Sequence, residues 1–320
     1  MRLLMGDSPR PAVVSGQHSS SLAWDVRGKT ILITGASSGI GFHAAIDLAR
    51  RGARLAMVGR DPGRSDAAAS EVTSRSGSKD VSLFVCDFSS QSAIRRLVET
   101  IRARYDRLDV LVNNAGGVNR TRINTVDGIE TTFAVNHLAS FLLTNLLLDL
   151  VVRSAPARII TVASIGHRQA TLDFSDLQFE RGYSIMRAYS RSKLANILFS
   201  NELARRLAGT GVTSNSLHPG AVDTRIWTGA PMWARPLIQI VFRPFFISAA
   251  EGGSYIVALA ARPELSAVTG RYFEKDKLSS PSALAADEAL ARRLWDVSAS
   301  MVNLPHMTPP GGPTNVEKPG

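Results

Sequence analysis

A tyrosine and a lysine, Tyr189 and Lys193, stand four residues apart in the sequence. The spacing of apolar residues around them predicts a helix over 187–207, which places both side chains on one helix face. A nearby ammonium group stabilises a phenolate and lowers the pKa of tyrosine from its usual value of about 10. Tyr189 would then serve as a general acid or base. The same spacing is also common in ordinary helices, so the catalytic interpretation needs other residues to support it.

Two polar residues upstream extend this candidate site. Ser164 follows a predicted strand and would hydrogen-bond a substrate oxygen, while Asn136 lies in a helical stretch after the preceding strand. A serine after a strand is ordinarily a cap or turn residue, and a buried asparagine is ordinarily satisfied by the backbone. The glycine-rich turn described next favours the functional interpretation of both.

Residues 34–41 form a glycine-rich turn between the first predicted strand and the first predicted helix. Glycines at this place let the backbone approach a pyrophosphate, and the helix N-terminus supplies amide donors and partial positive charge. The position between strand and helix indicates a dinucleotide-binding turn rather than a plain loop. The predicted cofactor contacts here are Gly35, Ser37, Ser38, Gly39, Ile40 and Gly41.

The end of the second strand bears on which dinucleotide binds. An acidic residue directly ending this strand would bind the ribose hydroxyls of NAD, but the sequence has Gly59 followed by Arg60. The Arg60 guanidinium is able to pair with the 2′-phosphate of NADP. We therefore expect NADP(H), with Asp61 leaving NAD(H) as the alternative.

Residues after other strands complete the predicted cofactor site. Asp87 follows the third strand and would accept a hydrogen bond from the adenine amino group, or cap the next helix. The turn after the fourth strand contains small residues that permit close approach to the cofactor, although such a turn alone is unspecific. The predicted contacts there are Asn113, Ala115 and Gly116, and Pro219 follows the sixth strand.

These motifs require a fold that brings strand ends together. Short aliphatic strands alternate with amphipathic helices, which predicts an α/β protein: a single-domain Rossmann fold with a doubly wound parallel sheet of about seven strands flanked by helices. We expect an N-terminal extension over 1–27, the domain over 28–302 and a disordered tail over 303–320. The clearest strands are 30–34, 54–58, 81–85, 110–112, 158–162 and 213–217, and the clearest helices are 41–51, 91–105, 138–152 and 187–207.

Composition narrows the class of protein. The 320 residues are 44% hydrophobic with a formal charge of +10, but the basic residues form no dense run with aromatics, which argues against nucleic-acid binding. The single cysteine, Cys86, favours a reducing cytoplasm. The apolar run 138–152 is too short for a transmembrane span and is interpreted as a buried helix. No metal site is predicted.

The ordered motifs resemble the short-chain dehydrogenases/reductases, in the branch with a single Rossmann domain, from about residue 28 to 273. The resemblance implies that Tyr189 transfers a proton, Lys193 lowers its pKa and holds the nicotinamide ribose, Ser164 polarises the substrate oxygen, and Asn136 holds a water of the proton relay. It also implies that residues 219–224 border the nicotinamide. Those predicted contacts are Pro219, Gly220, Val222 and Thr224.

Three features, namely the segments 135–138 and 141–144 and the long separation of Ser164 from Tyr189, which contains His167 and the segment 173–177, are similar to one subgroup of that family. Within the family the chain therefore looks most like the retinol dehydrogenase and WW-domain oxidoreductase-like subgroup. The segment 226–247 is apolar and aromatic, and in the family this region covers the substrate, which favours a small lipophilic ligand. Packing against a partner or a peripheral membrane contact explains the same composition. Family members commonly form dimers or tetramers, so a homo-oligomer stays open.

Three functions remain to be weighed. The first is an NAD(P)-dependent oxidoreductase acting on a hydroxyl or carbonyl group. The second is a dinucleotide-sensing or scaffold protein of the same fold, against which the complete set of four candidate catalytic side chains argues. The third is an epimerase or dehydratase acting on a nucleotide sugar, for which the chain shows no additional substrate domain.

Overall fold

The computed structural model describes residues 24–222 and 246–305. Within these ranges the chain forms one large sheet with helices on both faces. The predicted contact Thr224 and most of the aromatic segment 226–247 lie outside the described residues.

The main sheet has eight strands, in the order β10-β9-β6-β5-β4-β1-β2-β3. Seven of them run parallel, as the sequence predicted, and β10 is an antiparallel edge strand. The strands β7 and β8 form a separate short parallel pair. The bounds are β1 Thr30–Thr34, β2 Arg54–Gly59, β3 Val81–Val85, β4 Val110–Asn113, β5 Ala157–Val162, β6 Val212–His218, β7 Ala221–Val222, β8 Phe246–Ile247, β9 Arg271–Glu274 and β10 Lys277–Ser279.

Two helical layers cover the sheet. The helices are α1 Gly39–Arg50, α2 Pro62–Ser76, α3 Gln91–Arg104, α4 Thr131–Arg153, α5 Ile185–Arg206, α6 Ala249–Ala261, α7 Ala283–Ala286 and α8 Glu288–Met301. Helices α1, α2 and α6 pack on one face, and α3, α4, α5 and α8 pack on the other. Strands β1, β4, β5 and β6 are consequently buried along their whole length, as expected for parallel strands covered on both sides.

Residues just outside both predicted ends of the domain pack against it. Trp24 and Val26 are buried in the core, and the Trp24 indole Nε1 donates to the Ala260 carbonyl oxygen at 2.7 Å. The Arg158 guanidinium lies 4.1 Å from the centre of the Trp24 ring. At the other end, Leu304 packs against the core. The folded part therefore includes residues 24–27 and 303–305, which the sequence analysis assigned to the extension and the tail.

Helix α4 is the apolar helix that the sequence placed inside the fold. Its length and composition would also suit a membrane span, but 67% of its most apolar stretch is buried in the domain. Phe141 and Leu142 on this helix are fully buried. These features are those of a central core helix.

The single cysteine is a packing residue. Cys86 is buried and free, and burial raises the pKa of its thiol to about 12. A thiol with so high a pKa is almost entirely protonated near neutral pH and is a weak nucleophile.

Candidate active site

The candidate residues gather at the carboxyl ends of β1, β4, β5 and β6. Strands β1 and β4 are parallel neighbours in the sheet, although β2 and β3 lie between them in sequence. The order in which strands are added to the sheet therefore reverses between β1 and β4. Ligands of doubly wound sheets bind at such a switch point.

The glycine-rich turn leaves the N-terminus of α1 open. Gly35 and Gly39 have φ values of +65° and +62°, a conformation that other residues rarely adopt. A Cβ at Gly39 would meet no atom within 4 Å, and the N-cap residue Ser38 makes no side-chain hydrogen bond to the helix. Among the described residues, Ser38 therefore leaves the start of α1 without a side-chain cap, and the space beside Gly39 is open. This arrangement fits the pyrophosphate of a dinucleotide.

The loop after β4 is fastened to this turn. The Thr34 hydroxyl accepts hydrogen bonds from the backbone amides of Asn114 and Ala115, both at 2.9 Å. The Asn114 amide Nδ2 donates to the Thr34 carbonyl oxygen at 2.8 Å. A Cβ at Gly41 would lie 2.5 Å from the same Nδ2 atom, so this position requires glycine for packing. Thr34 and Asn114 were absent from the predicted contacts, because their role depends on a partner about 80 residues away.

The neighbouring Asn113 is turned toward the core. Its side chain is buried, and its Nδ2 donates to the Thr144 hydroxyl on α4 at 2.8 Å. Any cofactor contact at this position is therefore left to the main chain.

Asp87 shapes the turn after β3. Its carboxylate is exposed and accepts a hydrogen bond from the Ser89 amide at 3.0 Å. The helix-capping role that the sequence left open belongs to Ser90, whose hydroxyl accepts from the Ala93 amide.

The end of β2 presents an arginine. Asp61 is the N-cap of α2 and accepts a hydrogen bond from the Arg64 amide at 2.8 Å. This hydrogen bond lowers the pKa of Asp61. A Cβ at Gly59 would collide with the buried Ser65 hydroxyl oxygen at 2.0 Å, so glycine is required there. The Arg60 side chain, by contrast, is exposed.

A π-helical turn in α4 positions Asn136. The turn comprises Ala134–Leu138, and such turns are frequent at functional sites. The Asn136 Nδ2 donates to the Gly117 carbonyl oxygen and to the Ser192 hydroxyl, both at 2.9 Å, and its Oδ1 accepts from the Gly117 amide at 2.8 Å. Both Nδ2 hydrogens are thus engaged, and Oδ1 keeps one acceptor position for a water. Upstream, the buried Glu130 carboxylate caps the start of the helix.

Ser192 is a site residue that sequence reasoning missed. Its hydroxyl donates to the Tyr189 carbonyl oxygen at 2.7 Å while accepting from Asn136. It therefore ties the π-helical turn to the first half of α5. A serine between a tyrosine and a lysine carries no sequence signal for this role.

Ser164, Tyr189 and Lys193 come together between β5 and α5. The Ser164 hydroxyl accepts from the Gly166 amide at 3.2 Å, and its interaction with the Tyr189 phenol lowers the pKa of that phenol. The Lys193 ammonium donates to the Val162 carbonyl oxygen at 3.0 Å and lies 5.7 Å from the centre of the Tyr189 ring. One of its three N–H groups is used in this bond, so the others are available to a ligand.

Burial is the largest influence on the pKa of both Tyr189 and Lys193. Burial raises the pKa of Tyr189, and the hydrogen bond from Ser164 lowers it by less. The Lys193 ammonium donates to the Val162 carbonyl oxygen and lies 5.7 Å from the centre of the Tyr189 ring, and its lowering of the Tyr189 pKa stays a prediction. Burial lowers the pKa of Lys193 itself to about 8.

The loop after β6 borders the same edge. Pro219 and Gly220 lead into β7, and Gly220 has a φ of +102°. A Cβ at Gly220 would lie 2.8 Å from the Ile247 side chain. Val222 ends β7, and the predicted contact Thr224 follows outside the described residues.

Comparisons with known proteins agree with this architecture. Residues 29–234 match the short chain dehydrogenase family. Human retinol dehydrogenase 14 is 42% identical over 294 residues, covering 87% of this chain and 88% of the relative. Human retinol dehydrogenase 13 is 40% identical, covering 87% and 86%.

Solved structures also share the fold of this chain. A protein from Mycobacterium paratuberculosis, described as uncharacterized, superposes with a TM-score of 0.72 at 31% identity, covering 88% of this chain and 96% of that one. The Pseudomonas aeruginosa RhlG/NADP active-site complex superposes with a TM-score of 0.64 at 27% identity, covering 79% and 97%.

Proposed function

The chain belongs to the short-chain dehydrogenase family, and on this premise we propose that it transfers hydride between NADP(H) and a carbonyl or hydroxyl group of a lipophilic substrate. As a member of this family, with retinol dehydrogenases among its relatives, it is an NAD(P)-dependent oxidoreductase acting on CH–OH donors. The observation that supports this proposal is the grouping of Ser164, Tyr189 and Lys193 at the sheet edge where β1 leads into the N-terminus of α1.

Each of the four side chains would have a separate role in binding or proton transfer. When bound, the nicotinamide supplies or accepts the hydride. The Ser164 hydroxyl would hydrogen-bond the substrate oxygen, and the Tyr189 phenol would give a proton to that oxygen during reduction or remove it during oxidation. Lys193 would use its remaining N–H groups to hold the ribose. Asn136 keeps the π-helical turn in register with α5 and offers Oδ1 to a water.

The preference for NADP(H) rests on the end of β2. Asp61 is committed to the cap of α2, and the exposed residue next to it is Arg60. A guanidinium pairs well with a phosphate, whereas binding of the NAD ribose favours a carboxylate at the strand end. A relative solved as an NADP complex supports the same choice.

Apolar side chains flank the proposed catalytic group. Ile165 follows Ser164 directly and is 42% exposed, and Met186 precedes Tyr189 by one helical turn and is 48% exposed. Exposed side chains of this size beside a polar site are suited to contact an apolar ligand. Together with the names of the retinol dehydrogenase relatives, they support a retinal-like or other long apolar carbonyl substrate.

A substrate screen tests the proposal. The purified protein is incubated with NADPH or NADH and a panel containing retinal, long-chain aldehydes, steroid ketones and short polar aldehydes, and consumption of the reduced cofactor is followed. We expect the highest kcat/KM for an apolar carbonyl with NADPH. Preference for NADH would contradict the role of Arg60, and preference for short polar aldehydes would contradict the apolar site. Binding of NADPH without turnover of any compound would instead favour a dinucleotide sensor.

We also propose a reducing cytoplasmic location, supported by the single buried thiol of Cys86. Fractionation of cells that produce the full-length chain tests this proposal. Recovery in the membrane fraction that is reversed by salt would indicate peripheral attachment instead.

A further inference from the structure

A histidine lies directly behind Ser164. His167 is the third residue of the short 3₁₀ turn Ile165–Gln169, which begins after Ser164 at the end of β5. Its ring is 1% exposed and packs edge-on against the Tyr272 ring, with the two centres 5.0 Å apart. Neither the sequence motifs nor the proposed chemistry gives this residue a role.

Both ring nitrogens of His167 are hydrogen-bonded, and the partners define its protonation. Nδ1 lies 2.7 Å from the Ser164 carbonyl oxygen, which is only an acceptor, so Nδ1 carries the hydrogen and donates it. Nε2 lies 3.1 Å from the Ser282 amide nitrogen, which is only a donor, so Nε2 accepts. The ring is therefore neutral and held in one tautomer. Burial lowers the pKa of His167, in agreement with a neutral ring.

Other charged and titratable groups around the ring do not compete for these bonds. Arg168 donates to the Glu274 carboxylate at 2.8 Å and to the Ser280 carbonyl oxygen at 2.9 Å. His218 on β6 also faces this cluster, and burial lowers its pKa to about 4. The carboxylate of Glu274 is thus neutralised by Arg168 and leaves the tautomer of His167 to its two backbone partners.

We propose that His167 is a positioning residue for Ser164: its Nδ1–H fixes the Ser164 carbonyl, and with it the direction of the Ser164 hydroxyl toward Tyr189. The Ser164 backbone is extended, with φ −158° and ψ 155°, and its carbonyl accepts from both the amide and the ring of His167. Rotation of that peptide would displace the Gly166 amide, which donates to the Ser164 hydroxyl at 3.2 Å and so fixes the direction of this hydroxyl. Misplacement of a reacting group by about 1 Å costs roughly a hundredfold in rate.

Two substitutions separate the two hydrogen bonds of the ring. In His167→Asn the amide nitrogen occupies the place of Nδ1 and keeps the bond to Ser164. In His167→Gln the amide reaches the place of Nε2, so it accepts from Ser282 but no longer donates to Ser164. Both variants remove the ring from Tyr272, so a purely structural role of His167 would affect them alike.

The readouts are kcat for the best substrate of the screen, KM for NADPH, and stability in urea. We expect His167→Asn to keep kcat within about threefold of the wild type and His167→Gln to lose about tenfold or more, with KM for NADPH unchanged. A kcat for His167→Gln within threefold of that for His167→Asn would overturn the proposal.

A third variant keeps His167 and removes the partner of its Nε2 atom. Ser282→Pro removes the amide that binds Nε2, and the φ of −64° at Ser282 is one that proline adopts. It also removes the Ser282 hydroxyl that caps α7, so Ser282→Ala, which loses only this cap, is its matched control. The Nδ1 bond to Ser164 is untouched, so we expect kcat to stay within about threefold of the wild type. A tenfold loss relative to Ser282→Ala would assign the function of His167 to the Ser282 side and overturn the inference.

This inference depends on the proposed role of Ser164, which Ser164→Ala tests in parallel. If Ser164→Ala keeps full turnover, the proposed function is wrong. If Ser164→Ala loses turnover and His167→Gln does not, only the positioning role is wrong.

Discussion

Replacement of Lys193 by methionine is expected to stabilise the cofactor-free protein while abolishing its activity. Burial lowers the pKa of this lysine from 10.5 to about 8, which means that the folded state holds the ammonium at a cost. At about 1.4 kcal/mol per pKa unit, the cost near pH 7 is about 3 kcal/mol. Methionine has a similar length and no charge.

The lost hydrogen bond offsets part of this gain. Lys193 donates to the Val162 carbonyl oxygen, and a typical hydrogen bond contributes about 1 kcal/mol. That oxygen does not become unsatisfied, because the Asn196 Nδ2 also donates to it at 3.1 Å. The net gain in the free energy of unfolding near pH 7 is therefore about 2 kcal/mol.

The gain should depend on pH in a defined direction. Between the folded pKa of about 8 and the unfolded value of 10.5, the unfolded wild type binds more protons than the folded one, so the wild type becomes more stable as the pH rises. The advantage of Lys193→Met should therefore shrink by about 2 kcal/mol between roughly pH 7 and pH 9.5.

Urea denaturation of both proteins without cofactor, at several pH values, measures the difference. Lys277→Met on the edge strand β10 is the control, because this exposed lysine should change stability by less than about 0.5 kcal/mol at every pH. A Lys193→Met variant no more stable than the wild type near pH 7, or an advantage that does not shrink at higher pH, would refute the reasoning. Loss of turnover in the stabilised variant would show that the site holds its charge at the expense of stability.

Two further predictions concern the cofactor. Arg60→Ala should weaken NADPH binding by about ten- to a hundredfold and leave NADH binding unchanged, as for loss of a hydrogen-bonded phosphate contact; fluorescence titration checks this, and Arg54→Ala at the opposite end of β2 should affect neither cofactor. Equal loss of both cofactors would argue against a 2′-phosphate contact. Gly41→Ala should lower the free energy of unfolding by about 2 kcal/mol and weaken cofactor binding, since its Cβ would lie 2.5 Å from the Asn114 amide. Gly63→Ala in α2, where the nearest atom is 3.8 Å away, is the matched control and should be neutral or stabilising.

Much of the sheet could be predicted because local and tertiary preferences agree. Strand β1 matches its predicted range of 30–34, and β3 matches 81–85. Aliphatic runs bounded by glycine or polar residues specify buried strands, and each strand end then places the following polar residue at the ligand edge.

The helices and strands near the C-terminal end of the domain could not be predicted from the sequence. No individual helix or strand was predicted over 249–301, where α6, α7, α8, β9 and β10 occur. Helix α6 is rich in alanine and glycine, so its buried and exposed faces differ little in hydrophobicity, and β9 and β10 have only four and three residues. Short or weakly amphipathic elements depend on packing partners that the local pattern does not reveal.

Within the site, side-chain direction was the part that sequence could not supply. The residue types at Ser164, Tyr189 and Lys193 were informative, but the inward turn of Asn113 depends on the pleat of β4. The hydrogen bonds of His167 depend on Ser282, which is 115 residues away. Such contacts exist only after the strands have been brought into register.

The most direct test of the proposed chemistry is the turnover of Tyr189→Phe. The variant keeps the ring and removes only the hydroxyl, so we expect kcat to fall about a hundredfold or more while the Kd for NADPH stays the same. Tyr255→Phe, which removes a hydroxyl bonded to Glu251 on α6, should keep wild-type turnover. Turnover of Tyr189→Phe within tenfold of the wild type would contradict the assignment of Tyr189 as the proton donor.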